Sequence, residues 1–322
     1  MISPTLRAKR TYLAGNSIPG AIARQSRTRI RRFHVREKVN ELLGLLDLEP
    51  LEVNIYRGRN RDIGSGRVFG GQVLAQALVA ARRTVDEDRE AHSIHGYFIL
   101  PGDVAAPIVY FVDRLRDGKS FTTRQVTAIQ HGRAIFNMAA SFQRSEEGLE
   151  HQAEMPDVPP PESLRSELDL VREVAHRIPE PVRSLFTQER PIDFRPVDPI
   201  DLFDPEGRPP LKHVWVRAFG PIDGPSVLHQ AILAYASDHG LLASALLPHR
   251  ISLYDPQMQA ATLDHALWFH RPFRIDEWLL YSIESPSASG ARGFTRGSIH
   301  SRDGTLIAST VQEGLIRRRS PR

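Results

Sequence analysis

Two stretches of this 322-residue chain carry the same pattern, and an internal duplication limits the available folds more than any bulk property does. Phe69-Gly-Gly-Gln-Val-Leu-Ala-Gln-Ala-Leu-Val-Ala-Ala81, set against Val227-Leu-His-Gln-Ala-Ile-Leu-Ala-Tyr-Ala-Ser-Asp-His239, matches Gln72 to Gln230 and Ala80 to Asp238. His92-Ser-Ile-His95, set against Thr262-Leu-Asp-His265, matches His95 to His265 and His92 to Thr262. Long strand-like runs follow, ending at Ala140-Ser-Phe-Gln143 and Thr310-Val-Gln312. The second copy therefore offers Asp238, Thr262 and Gln312 where the first offers Ala80, His92 and a glutamine. This is the pattern of a duplicated fold in which one of two equivalent sites does chemistry.

The elements repeat in the same order. Residues 37–48 place apolar side chains at helical spacing (Val39, Leu42, Leu43, Leu46), and 51–57 reads as a strand. A long amphipathic helix is predicted over 69–85, opened by Gly70-Gly71. Strands follow over 92–100, 107–116, 120–131 and 134–143, with Asp117-Gly118 and His131-Gly132 at hairpin positions. The second copy repeats this as a strand over 212–219, a helix over 226–247 and strands over 259–270, 277–285, 291–301 and 305–316, with Asp303-Gly304 as a turn. Between the copies lies a Pro- and acid-rich stretch with one helix near 162–176, which reads as a linker wrapped over the surface. The predicted organisation is a basic arm over 1–35, a first copy over 36–145, a linker over 146–210 and a second copy over 211–318. A long helix wrapped by a curved antiparallel sheet is the hot-dog arrangement. The fold class is therefore α+β, a double hot-dog in which two such copies pair sheet edge to sheet edge.

Charge and composition remove several classes. The chain has no cysteine, which excludes disulfides, thiolate nucleophiles and zinc–thiolate sites and fits a cytoplasmic location. No apolar run approaches the roughly 20 residues of a membrane span. The net charge of +4 belongs to the arm: residues 1–35 hold eight Lys or Arg and no acid. Removing those eight from the 42 basic residues leaves 34 against 38 acidic ones. The net-acidic body argues against a nucleic-acid binder, and the arm reads as a disordered tail or an over-extended start. Phosphate-loop, G-x-S-x-G and H-E-x-x-H motifs are missing from the sequence.

Asp238 carries the chemical argument. At 100° per residue it shares a helix side with Ala231, Ala234, Tyr235 and Leu242, and a carboxylate at the rim of an apolar stripe loses hydration unless donors meet it. Thr262 begins the strand facing that helix. Gln312 shares a strand face with Leu306, Ala308 and Thr310, where an amide must find partners. Together Thr262 and Gln312 could orient one water while Asp238 withdraws its proton. Asp264 falls on the strand face of Thr262, although a structural acid is the commoner outcome there. His265 repeats His95, which points to a shared structural role. His92 with His95 is too small a set for a metal site, and no metal or other cofactor is expected.

At these residues the chain resembles the acyl-CoA thioesterase II family, the double hot-dog thioesterases. The resemblance is carried by Arg67-Val-Phe-Gly-Gly-Gln72, Leu100-Pro-Gly-Asp103, Leu115-Arg-Asp-Gly-Lys-Ser-Phe121, Ala234-Tyr-Ala-Ser-Asp238, Ala261-Thr-Leu-Asp-His265, Leu267-Trp-Phe-His-Arg-Pro-Phe273, Ser289-Gly-Ala-Arg-Gly-Phe294 and Ala308-Ser-Thr-Val-Gln-Glu-Gly314. It extends over residues 37–318 and implies hydrolysis of fatty acyl-CoA to fatty acid and CoA without a cofactor. It also implies a catalytic trio at Asp238, Thr262 and Gln312, a first-copy histidine motif at His92, and assembly into dimers or tetramers. Backbone N–H groups at Gly70, Gly71 and Gln72 are expected to meet the developing oxyanion. Arg271 and Arg292 are the candidates for the CoA phosphates. Two alternatives stay open: a hot-dog hydratase acting on enoyl-CoA, and a non-catalytic acyl-CoA-binding protein.

Overall fold

The computed structural model describes residues 37–319 apart from 65, 181, 202, 254 and 256, with the side chains of 182 and 185 also outside the description. The basic arm expected over 1–35 lies outside the described residues. Helix α1 covers 37–46. It is followed by β1 (Glu49–Glu52), β2 (Ile55–Gly58), α2 (Gly70–Arg82), β3 (Arg89–Phe98), β4 (Ile108–Asp117), β5 (Phe121–Gln130) and β6 (Arg133–Arg144). The second copy holds β8 (Leu211–Ala218), α5 (Ser226–Ser237), β9 (Met258–Thr262), β10 (Asp264–Phe269), β11 (Leu279–Ser289), β12 (Arg292–Ser301) and β13 (Leu306–Arg318).

All strands among the described residues, including β7 (Ile192–Pro196), join one 13-stranded sheet in the order β1-β2-β4-β5-β6-β3-β10-β13-β12-β11-β8-β7, with β9 pairing β13 beside that path. The copies meet where β3 runs antiparallel to β10, with Ile94 opposite Leu267. The strands of the first half wrap α2, while β8, β11, β12 and β13 of the second half lie closest to the 3-10 segment over Leu242–His249. Strand burial alternates along β5 (Thr122, Arg124, Val126, Ala128, Gln130 buried) and β13 (Ala308, Thr310, Gln312 buried), as a strand with one face on a core requires. The Ala-rich α2 buries Ala75, Ala77, Ala80 and Ala81, whose small side chains let the sheet approach closely. Two glutamines on α2 need partners in that core and find them. Gln76 Nε2 donates to Leu45 O (2.7 Å) and Arg59 O (2.9 Å), and Tyr110 donates to its Oε1 (2.6 Å).

Helices α2 and α5 also pack on each other, running antiparallel. The N-terminal end of α2 meets the C-terminal end of α5, while Val79, Arg82 and Arg83 lie by Val227 and Leu228. The approach at the first end depends on missing side chains. A Cβ on Gly71 would stand 2.4 Å from Tyr235 O, and one on Gly70 2.7 Å from Asp238 Oδ2.

Four local expectations change. The single strand over 51–57 is a hairpin, β1 with β2, turned at Asn54 (φ 61°), a residue that tolerates the left-handed region. The helix expected to reach 247 ends at Ser237, because Gly240 (φ 66°) turns the chain away; a 3-10 segment over Leu242–His249 follows. The strand over 259–270 breaks at Leu263 into β9 and β10. The stretch between the copies is more than a connection. It holds α3 (Glu167–Glu173), α4 (Val182–Phe186) and β7 (Ile192–Pro196), and β7 adds an edge strand on β8. Its residues Met155, Val158 and Leu164 cover Trp215, Trp278 and Leu280, and Trp215 Nε1 donates to Pro159 O (2.9 Å).

Gly71→Ala should therefore cost about 1–3 kcal/mol, because Tyr235 O and the Phe69 ring occupy the space a methyl needs. Urea unfolding of the variant beside wild type measures this. An unchanged midpoint would mean that the two helices can part freely.

Candidate active site

The three residues singled out by the sequence converge where α5 ends. Asp238 is the C-cap of α5, and the turn at Gly240 leaves its part-buried carboxylate facing β9 and β13. Gln312 Nε2 donates to Asp238 Oδ1 at 2.7 Å and the Thr262 hydroxyl donates to the same oxygen at 3.3 Å. Gln312 Nε2 also stands 3.3 Å from Thr262 Oγ1. Thr262 reaches this point because it ends β9, directly before the break at Leu263. The break is held by backbone bonds from Leu263 N to Glu313 O and from Phe98 N to Leu263 O, both 2.9 Å.

A second set of bonds backs the first. His265 Nδ1 lies 3.2 Å from Gln312 Nε2, and His265 Nε2 lies 3.0 Å from Ser237 Oγ. Ser237 Oγ donates to Ala234 O (3.0 Å), and Tyr281 OH contacts Ser237 O (3.2 Å) and Thr310 Oγ1 (2.7 Å). Burial lowers the His265 pKa, with Asp238 opposing. Burial likewise raises the Tyr281 phenol well above its usual range. Gln312 is 1% exposed, and its Oε1 is buried without a hydrogen-bond partner among the described residues. An unmet buried acceptor is costly to keep.

Asp238, Thr262 and Gln312 line one end of a cavity of about 590 Å³. Gly70, Val73, Phe98, Phe136, Leu241 and Leu242 supply much of its remaining wall, with Arg67 also on the lining. The cavity therefore has a polar end against an apolar body. Phe69, in edge contact with Tyr235 (5.0 Å), separates it from a smaller cavity of about 250 Å³ lined by Phe186, Ile192 and Phe194.

The other expected site residues lie elsewhere. Gln72 N donates to Phe69 O (3.0 Å), so it is already engaged; its side chain fastens Arg59 and Asn60. Gly71 packs on Tyr235 O and is not on the cavity wall; of the three N-terminal positions of α2, Gly70 is. His92 is off the cavity, half-buried, with Nε2 2.8 Å from Ser141 Oγ; burial, then His95, lowers its pKa. Arg271 donates to Leu306 O (3.0 Å) and Arg292 to Glu313 (3.0 Å), both off the cavity wall. Asp264 does not support the trio: the strand break turns its carboxylate onto Glu313 N (2.7 Å), and burial raises its pKa. His265 and His95 do not share a role. His265 is fully buried, whereas His95 is exposed with its ring on Trp268. Gln143 falls between the inward residues of β6, where Phe142 is buried, so the first copy has no counterpart of the buried Gln312 amide. Among the described residues, no three or more His, Asp or Glu are grouped to hold a metal ion. No helix among them is long and apolar enough to cross a membrane.

Comparison with known proteins gives concordant findings. Residues 181–315 match the family model described as acyl-CoA thioesterase, and residues 58–143 match the acyl-CoA thioesterase N-terminal domain. The chain is 44% identical to acyl-CoA thioesterase 2 of Haemophilus influenzae over 279 residues, 87% of this chain and 98% of that one. It is 42% identical to human acyl-coenzyme A thioesterase 8 over 281 residues, 85% of this chain and 88% of that one. Among solved structures, the acyl-CoA thioesterase II TesB2 from Mycobacterium marinum is 45% identical and superposes with a TM-score of 0.72 over 87% of this chain and 99% of that one. A hot-dog-fold protein of unknown function from Alicyclobacillus acidocaldarius, 22% identical, superposes at 0.70 over 88% and 99% and supports the fold alone. The expected double hot-dog is thus the observed fold.

Burial lowers the pKa of His92, His213, His229, His265, His270 and His300 below 6.5, leaving each base harder to protonate in the folded chain than in the unfolded one. As pH falls below about 6.5 the unfolded state takes up more protons, so stability must fall with it. Urea midpoints should therefore decrease steadily from pH 7.5 to 5.5; a flat profile over that range would contradict the assigned burial.

Proposed function

Because the chain belongs to the acyl-CoA thioesterase family and is itself an acyl-CoA thioesterase, we propose that it hydrolyses fatty acyl-CoA through a water activated by Asp238 and oriented by Thr262 and Gln312. The observation that carries this reading is the convergence of Gln312 Nε2 and Thr262 Oγ1 on Asp238 Oδ1, at 2.7 and 3.3 Å, at the polar end of an apolar cavity. The water oxygen attacks the thioester carbonyl carbon and its proton passes to Asp238 Oδ2. The C–S bond then breaks, the CoA sulfur takes the proton back, and the fatty acid leaves. Water supplies all the atoms gained by the two products.

The thiolate is a fair leaving group, since a free thiol has a pKa of about 8.5, so a positioned base and water suffice. The developing oxyanion is assigned to Gly70 N–H, at the positive end of α2 and on the cavity wall. The acyl chain runs along Val73, Phe98, Phe136 and Leu242, and Arg67 takes the role first sought in Arg271 and Arg292, at the anionic part of CoA. We further read the chain as cytoplasmic and self-associating. Exposed Phe111, Leu115 and Phe121 on the neighbouring strands β4 and β5 support association through the first copy.

Release of free CoA from palmitoyl-CoA, followed with a thiol reagent, tests the reading; the chain has no cysteine of its own to react. Asp238→Asn should lower kcat by about 10²–10⁴-fold with binding retained. Thr262→Ala and Gln312→Ala should each lower it by about 10–10²-fold, while His92→Ala stays near wild type. A fully active Asp238→Asn would remove Asp238 as the base. Turnover of this saturated substrate also separates thioester hydrolysis from enoyl hydration, which has no bond to act on there.

A further inference from the structure

The trio leaves one matter open: an amide such as Gln312 can present either end to Asp238, and only one end is useful. With Nε2 toward the carboxylate, Gln312 donates to Asp238 Oδ1 (2.7 Å). Turned over, it sets oxygen against oxygen. While Asp238 is ionised, its charge selects the useful orientation. Once Asp238 has taken the water's proton that selection weakens, because a carboxylic acid can donate to Oε1 as well as accept from Nε2. Thr262 does not decide either, since a hydroxyl serves as donor or acceptor.

His265 supplies the missing constraint. Ser237 Oγ gives its hydrogen to Ala234 O (3.0 Å), so toward His265 Nε2 (3.0 Å) it presents a lone pair. The imidazole must then carry its hydrogen on Nε2, which leaves Nδ1 as an acceptor for Gln312 Nε2 (3.2 Å). Tyr281, on Ser237 O and Thr310, closes this network from β11. Asp238 and Tyr281 are the titratable groups that border His265 through these contacts. We propose that His265 is a positioning residue, locked by Ser237 in the Nε2–H tautomer, that holds the Gln312 amide with nitrogen toward Asp238 throughout the reaction. This rests on the proposed role of the trio. His265 touches neither the cavity nor the reacting atoms; it acts only through Gln312. Its full burial, without any counterpart at exposed His95, fits a group kept for the second copy alone.

Two substitutions at one position separate this from core packing. Asn carries its polar atoms near the place of imidazole Nδ1 and can accept from Gln312; Gln carries them near Nε2, toward Ser237. With palmitoyl-CoA, His265→Asn should keep kcat within about threefold of wild type, while His265→Gln should lose about tenfold or more, both with KM within about twofold. Ser237→Ala removes the tautomer lock with little change in volume and should lower kcat by about fivefold at unchanged KM. If His265→Gln fails to give a cooperative melt, Ser237→Ala decides alone. Equal losses in His265→Asn and His265→Gln, wild-type kcat in His265→Gln, or wild-type kcat in Ser237→Ala would overturn the proposal. Asp238→Asn assayed beside them keeps the two questions apart. Its inactivity with a normal His265→Gln leaves the trio standing and removes only the positioning role.

Discussion

The meeting of two helix ends underlies the site. The N-terminal end of α2 and the C-terminal end of α5 touch because Gly70 and Gly71 have no side chains, with Tyr235 O and Asp238 Oδ2 occupying the space Cβ atoms would need. That contact gives the carboxylate a definite address. At the end of α5 alone, Asp238 would face the negative end of the helix dipole, an unfavourable place for an acid. Against α2 it faces a positive end, with Gly70 on the wall of the same cavity. The same two glycines therefore set the packing of the helices and the field at the proposed base.

Duplication explains how such a site can exist in so large a sheet. Both copies supply a helix and strands, and the join of β3 to β10 makes a continuous sheet in which neither half exposes that edge. The copies then differ in what they bury. In the first, Ala80 lies wholly inside α2 and Phe142 fills the inward face late in β6. In the second, α5 stops at Ser237, the strand breaks at Leu263, and Gln312 and His265 take buried positions. Burying these polar groups costs free energy unless each finds a partner, and the bonds among Ser237, His265, Gln312, Thr262 and Asp238 provide them. The first copy supplies wall instead: Gly70, Val73, Phe98 and Phe136 line the same cavity as the acid. One copy thus carries the polar end of the cavity and the other much of its apolar body.

Much of this was legible in the residues. Alternation and hairpin pairs located the strands, and His131-Gly132, both at positive φ, form the two-residue turn their identities predict. Asp238 stood out because an acid interrupts an apolar stripe whose repeat partner is alanine. The chain breaks were harder to read. Gly240 was a visible stop signal, but the apolar periodicity continues through Leu242 and Leu246 and reads as helix. The break at Leu263 leaves no local mark, since its cause is a tertiary one: Asp264 takes Glu313 N and Leu263 N takes Glu313 O. Matching His265 to His95 was sound as sequence and wrong as structure. A break or bulge of one residue moves a side chain to the other face of a sheet, and β3 has a register shift between Ala91 and Ser93. Arg271 and Arg292 failed for a different reason: a cation near a motif says nothing about which carbonyl or carboxylate will claim it.

Strand register also sets how donors meet the Asp238 carboxylate. A carboxylate with donors on every side is stable but poorly placed to take a proton, and one with no donors is costly to keep charged. Here the side-chain donors Gln312 and Thr262 converge on Oδ1, while Oδ2 lies by Gly70, whose missing side chain leaves access from the cavity. The division between the two oxygens leaves the donors on one and the cavity side to the other, as the proposed base requires. It depends on β9 ending at Thr262 and on Gln312 keeping its inward phase on β13. A register slip of either strand by one residue would turn its donor away from Asp238 while leaving the helix contact that positions the acid intact.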